Sequence, residues 1–284
     1  MTAPRPSRIA GALVPLALVA LSVACGSDAP DSSSDGTSST VAGTSGEVAA
    51  TDAPYCAAAL AVNTDPGPDV DFAAASSEEI AAAVQAYAVD TLRPLYEDVE
   101  ATAPDELSQA VETFGAAVDD LVATGDPGAL DTPEMQAASE AAHAYDLAHC
   151  AYLQAAVTAT DYEFDDVEPE YSKGPVSFDV TNDGTEVHEM VLLQVRPQVR
   201  EMAEELVTLS EEEALTKVDV VGSVGPIAPG DTGHLVADLE PARYIVACFL
   251  PQGSTSLQDL ETADGPPHAS LGMFRAVSVD SAPR

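Results

Sequence analysis

Tyr244-Ile-Val-Ala-Cys248-Phe-Leu-Pro251 is an apolar run that closes on a thiol, and Pro266-Pro-His268-Ala-Ser-Leu-Gly-Met273 follows it. Upstream, Asn182-Asp-Gly-Thr-Glu-Val-His188 is a turn sequence ending in a second imidazole. Cys248, His188, His268 and Met273 together offer one thiolate, two imidazoles and one thioether. Soft, redox-active copper takes such a donor set in preference to harder ions. No other segment points so directly at chemistry.

The flanking sequence reads as short strands. Val176, Phe178 and Val180 alternate with Ser177, Asp179 and Thr181, the pattern of a half-buried strand, and Asn182-Asp-Gly184 is a turn. A mostly apolar strand is predicted from His188 to Val195, then a helical insert over about 198–217 in which Ser210 and Glu213 form a capping box. The turn Ala228-Pro-Gly-Asp-Thr-Gly233 precedes strands at Leu235-Val-Ala-Asp-Leu239, at 244–250 and at 273–279. Several short strands with turn signals imply an antiparallel sandwich over residues 160–284.

Residues 54–159 carry a different period. Leu107, Val111, Phe114, Val118 and Leu121 fall on one helical stripe, and Ile80, Val84, Tyr87, Leu95 and Val99 on another, which Pro94 is expected to kink or split. Ser76 and Glu79 form a capping box, Pro104 and Pro133 fit first helical positions, and Gly125-Asp-Pro-Gly128 is a break. A small antiparallel helical bundle follows, ahead of the sandwich: a two-domain α+β chain.

At the N-terminus, Arg5 and Arg8 precede an apolar run from Ile9 to Ala24, too short to span a bilayer and read as a signal peptide over residues 1–24. The residues before Cys25 resemble a bacterial lipobox, which implies lipidation of Cys25. Residues 25–53, rich in Ser, Thr, Asp, Gly and Ala, are then a flexible tether to the outer face of a membrane. A formal charge of −38, with 10 Lys and Arg against 48 Asp and Glu, excludes nucleic acid as a partner, since phosphate contacts need clustered Lys and Arg. Export permits disulfides. With Cys25 lipidated, Cys56 and Cys150 flank the Ala-rich helices and are the natural pair, although sequence alone does not fix connectivity; Cys248 is then a lone thiol.

The order of motifs resembles the cupredoxins, in particular the plastocyanin-like pattern. Asn182-Asp-Gly184 with His188 resembles the turn that delivers a first histidine ligand. Ala228-Pro-Gly230 and Glu240-Pro-Ala-Arg-Tyr244 resemble the turns before the cysteine strand, and Cys248 with His268-x4-Met273 resembles the ligand loop. The resemblance covers roughly residues 160–280 and implies a Greek-key β-sandwich holding one copper ion. By it, Cys248 is the equatorial thiolate, His188 and His268 the imidazole ligands and Met273 the weak axial ligand. The departure from the pattern is the 19 residues at 249–267, which are expected to bulge outward and return His268 to the site.

Taken singly, each side chain has a plainer role: Cys248 as a core thiol, His188 bonded to a turn carbonyl, Met273 as core filling, His268 as an exposed loop residue. Jointly they imply an extracytoplasmic, membrane-anchored copper protein that transfers electrons or buffers copper, with a redox or copper-handling protein as partner. The alternative is a metal-free cupredoxin-like scaffold serving as a ligand- or protein-binding lipoprotein. An enzyme is not expected. Copper oxidases and reductases need further histidine-rich centres, and the chain has five histidines. Of these, His143 and His149 point to different helix faces, and His234, beside a glycine turn, reads as exposed.

Overall fold

The computed structural model describes residues 52–70 and 75–281. The expected signal peptide, the lipidation site Cys25 and nearly all of the expected tether lie outside the described residues. Five α-helices come first: α1 (Ala53–Asn63), α2 (Ser77–Tyr87), α3 (Arg93–Thr102), α4 (Ser108–Thr124) and α5 (Pro133–His149). The capping box opens α2 as the sequence predicts, with the Glu79 N–H donating to Ser76 Oγ and the Ser76 N–H donating to Glu79 Oε2. Pro94 does not split the next helix. Ala88–Leu92 winds as a π-helical turn, and the run continues into α3. A widened turn of this kind accommodates the backbone bond that proline cannot donate.

Both apolar stripes face inward: Val84, Ala88 and Leu121 are fully buried together. Cys56 in α1 is disulfide-bonded to Cys150 just past α5, closing a loop with a sequence separation of 94. Cys248 remains a free, buried thiol.

Helix ends at His149, not at 159. Leu153–Thr160 is strand β1, a correction to the helical reading of that stretch. Its alanines favour helix locally, but Leu153, Ala155, Val157 and Ala159 repeat at the strand period and pair in parallel with 176–182. Tertiary pairing outweighs the weak local preference. The remaining strands are β2 (Glu163–Asp165), β3 (Glu170–Ser172), β4 (Gly174–Asn182), β5 (His188–Val195), β6 (Val218–Ile227), β7 (Thr232–Leu239), β8 (Arg243–Ala247) and β9 (Phe274–Asp280). The helical insert consists of two short helices, α6 (Ala203–Leu206) and α7 (Glu211–Ala214).

The strands form a four-stranded sheet, β2-β1-β4-β7, and a five-stranded sheet, β3-β9-β8-β5-β6. Both sheets are mixed, because β1 runs parallel to β4 and β3 parallel to β9, so the expectation of a purely antiparallel sandwich is corrected. The inner core contains Phe164, Phe178, Met190, Leu192, Tyr244 and Val246. Both outer faces are also covered. Ile245 and Ala247 pack with Leu206 and Val207 of the insert region, and Val236 packs with Tyr55 and Leu107 of the helices. A strand buried on both faces reads as continuous apolar sequence, which explains the run at 244–250.

Between the helices and β7 lies a cavity of about 130 Å³ lined by Tyr87, Tyr96, His143, Asp146 and His234 among others. Burial pushes the Asp146 carboxyl up to about 6, against hydrogen bonds from Tyr55 and Asn63 and the charge of His143. A carboxyl raised on folding is stabilising while neutral, and that contribution fades as pH rises through about 4 to 6. Asp146→Asn is therefore expected to raise unfolding free energy above pH 6 by about 2–4 kcal/mol, with no gain below pH 4, in urea titrations across pH. Replacing Cys56 and Cys150 with alanine is expected to cost about 2–5 kcal/mol, read from the same titrations.

Candidate metal centre

His188 begins β5 directly after the turn from Asn182. Asn182, fully buried, ties this turn down: its Nδ2 donates to the carbonyls of Glu186 and Ile227, each at 2.8 Å, and its Oδ1 accepts the Gly184 N–H at 2.9 Å. Gly184 is required by close approach, since a Cβ there would stand 2.5 Å from Asp161 Oδ1 and 2.7 Å from His188 Nε2.

The excursion after Cys248 is cinched at its base. Ala269 N–H donates to Cys248 O at 2.7 Å, His268 N–H to Leu250 O at 2.9 Å and Gln252 N–H to Pro266 O at 3.0 Å, with Pro251 bridged to Pro267. A Cβ on Gly265 would lie 2.4 Å from Gln252 O, so only glycine lets the two limbs close. The loop docks on the His188 turn through Val187 N–H to Ser254 O (2.6 Å) and Gly253 N–H to Glu186 Oε2 (2.7 Å). Residues 252–266 thus form a side loop, and His268 re-enters the chain path as though they were absent.

As a result His188 Nδ1 lies 3.2 Å from His268 Nδ1, which is 3.3 Å from Cys248 Sγ. All three side chains are fully buried, and their donor atoms lie within 4.8 Å of one another. Met273 is fully buried in the same core as Cys248; its carbonyl accepts the Cys248 N–H at 3.2 Å, and its N–H donates to His268 O at 3.1 Å. The Glu189 N–H donates to Cys248 Sγ at 3.5 Å.

The far nitrogen of each ring is held by a carboxylate. His188 Nε2 donates to Asp161 Oδ1 at 2.8 Å and His268 Nε2 to Glu186 Oε2 at 3.0 Å. Asp161 also accepts from the Thr185 N–H, Thr185 Oγ1 and the Glu186 N–H. Partial burial opposes its charge, but these bonds hold it down at about 2. Burial likewise opposes the charge of Glu186, which bonds from Gly253, Tyr162 and His268 hold below the ordinary carboxylate range. Burial lowers both imidazoles, reinforced at His268 by the charge of His188 and opposed at each ring by its carboxylate. Burial and the charge of Glu189 push the Cys248 thiol well up, so metal binding there must displace a proton.

The donor set fits a metal ion. With each Nε2 proton committed to a carboxylate, both Nδ1 atoms present lone pairs to one another in a dry pocket, with one thiol proton to share between them. Separations near 3.3 Å are those of donors bound at about 2.0–2.3 Å to a common ion. Two imidazoles and a thiolate form the equatorial set of a type 1 copper site.

The sequence does not identify the two carboxylates as members of the site. Glu186 sits two residues before His188, a spacing with no signature, and Asp161 lies 27 residues away. Reading His268 as an exposed loop residue is overturned, because its ring is fully buried. His149 bonds Asp52 at 3.2 Å and stacks on Tyr145. His234, expected to be exposed, is instead partly buried against His143 and Asp179.

Comparison with solved structures finds chains similar to part of this one. Auracyanin from the photosynthetic bacterium Roseiflexus castenholzii is 14% identical over 46% of this chain and 97% of its own, with a TM-score of 0.29. Rusticyanin from Thiobacillus ferrooxidans is 16% identical over 45% of this chain and 77% of its own, with a TM-score of 0.27. A multicopper oxidase from Pediococcus acidilactici is 10% identical over 46% of this chain and 26% of its own, with a TM-score of 0.26. Auracyanin and rusticyanin are cupredoxins. No protein-family model and no curated protein matches the chain.

Carboxylates that fix ring orientation and basicity are worth about 10–100-fold in metal affinity. Glu186→Gln and Asp161→Asn are each expected to weaken copper binding by that factor, measured by competition with a chelator of known affinity.

Proposed function

We propose that this chain binds one copper ion and, on the outer face of a cell membrane, carries electrons or buffers copper. The observation that carries the reading is the meeting of His188 Nδ1, His268 Nδ1 and Cys248 Sγ in a buried pocket with both distal nitrogens capped. In this reading Cys248 is the equatorial thiolate, His188 and His268 are the imidazole ligands, and Met273 is the weak axial thioether. Bound copper supplies a one-electron couple. The protein supplies rigidity: Asp161 and Glu186 fix both rings, the bonds from Ala269 and His268 fix the thiol strand to the ligand loop, and burial keeps water from the donors. Ligands that cannot move lose little energy to rearrangement when charge changes.

Among the described residues no helix is long and apolar enough to cross a membrane. Attachment in this reading is through lipid on Cys25, with residues 25–53 as the tether and a redox or copper-handling protein as partner.

The copper-loaded full chain is expected to show an intense visible thiolate-to-copper band that Cys248→Ser abolishes. Met273→Leu keeps the band and shifts the reduction potential, as an axial ligand does. Colourless protein, free of copper after exposure and dialysis, overturns the proposal. Retention of copper through repeated reduction and reoxidation marks a carrier; release in one oxidation state marks a buffer.

A second reading, a metal-free ligand-binding module, is favoured by the cavity of about 130 Å³ between the helices and β7. It requires a melting temperature indifferent to copper and to chelators, because a ligand of the native state raises stability by mass action.

A further inference from the structure

A second group of donors lies on the outer face of the other sheet. Asp179 of β4 and His234 of β7 are direct cross-strand partners. The alternation that turns Phe178 and Val180 into the core turns Asp179 outward, toward the helices. There His143 of α5 comes down on the pair. His143 Nε2 and His234 Nδ1 both lie 2.9 Å from the same Asp179 oxygen, Oδ1, and the two rings stack with centroids 3.8 Å apart at 27°. The donor atoms of all three residues lie within 4.8 Å of one another.

We propose that His143, Asp179 and His234 form a second metal site, distinct from the buried His188, Cys248 and His268 centre, that takes Zn2+ and joins α5 to the β4-β7 edge. Two imidazoles and one carboxylate are the ligands of many open zinc sites, in which a water completes the shell. The side chains are 12%, 30% and 26% exposed, enough for an ion to enter, unlike the sealed donors of the first centre. Both His143 and His234 line the cavity of about 130 Å³, which offers room for the remaining ligand. Burial opposes the charge of Asp179, yet the bonds from His143 and His234 hold it ionised well below the usual carboxylate range. The acidic surface, at a formal charge of −38, concentrates cations around the chain.

A carboxylate oxygen can accept both donors, but the two imidazoles that converge on it come from separate elements and stack face to face, which brings three metal-ligating groups to one point. An ion at their point of convergence accepts both lone pairs once the carboxylate steps back to bind alongside them.

The test is zinc titration of the full chain by calorimetry, with Cys248→Ser used to disable the first centre. That variant is expected to bind one Zn2+ and to melt at a higher temperature with it. Adding His143→Gln, which preserves a hydrogen bond to Asp179, should weaken binding by more than about 100-fold, beyond what loss of an outer partner costs, and remove the thermal shift. If Cys248→Ser does not fold, the same comparison runs on the wild-type background, where His143→Gln should reduce two bound Zn2+ to one. Zinc binding that His143→Gln and His234→Gln leave unchanged is adventitious capture by the acidic surface and overturns the proposal. So does a Cys248→Ser variant that folds and binds none.

Discussion

Closure of the neck between residues 250–252 and 266–268 is the constraint on which the buried centre depends. Chain entropy favours an open excursion, and a handful of backbone bonds oppose it: His268 to Leu250, Gln252 to Pro266 and the bridge between Pro251 and Pro267. Proline on both limbs reduces the freedom lost on closing, and Gly265 lets the limbs touch. Without this neck, His268 is an ordinary loop residue. With it, the second imidazole stands as near to the thiol as if the loop had never been inserted.

The neck also explains how the outer layer of the centre is assembled. Glu186 accepts from Gly253 at the mouth of the loop and from His268 beyond it, so one carboxylate joins both limbs to the turn that carries His188. Asp161 performs the equivalent role from the β1-β2 connection, binding Thr185 and His188 together. Ring orientation, tautomer and loop position are therefore set by a single hydrogen-bonded collar. Tyr162 extends it, donating to Glu186 at 2.9 Å while its ring lies 4.7 Å from that of His268.

Much of this was legible from residues alone where pattern and environment agree. The alternation in β4, the capping box of α2 and the order His188, Cys248, His268, Met273 each have a local physical cause that survives into the structure. The misreadings share a different cause. β1 was hidden because alanine prefers helix and only pairing with β4 reverses it. β6 was hidden because Gly222, Gly225 and Pro226 interrupt its pattern. Asp161, Glu186 and the meeting of His143 with Asp179 and His234 depend on register and on contacts between distant segments, which no window of sequence contains. His234 reads as exposed from its own neighbours; it is α5 that covers it.

The disulfide has a mechanical consequence. Cys56 lies in the first helix, and Cys150 lies just before β1, the strand paired along its length with β4 inside the sandwich. A pull on the chain ahead of Asp52 enters α1, crosses the sulfur bridge and loads the sheet directly. The segment between the two cysteines is a covalently closed side branch that force bypasses, so α2 to α5 can breathe without lengthening the molecule.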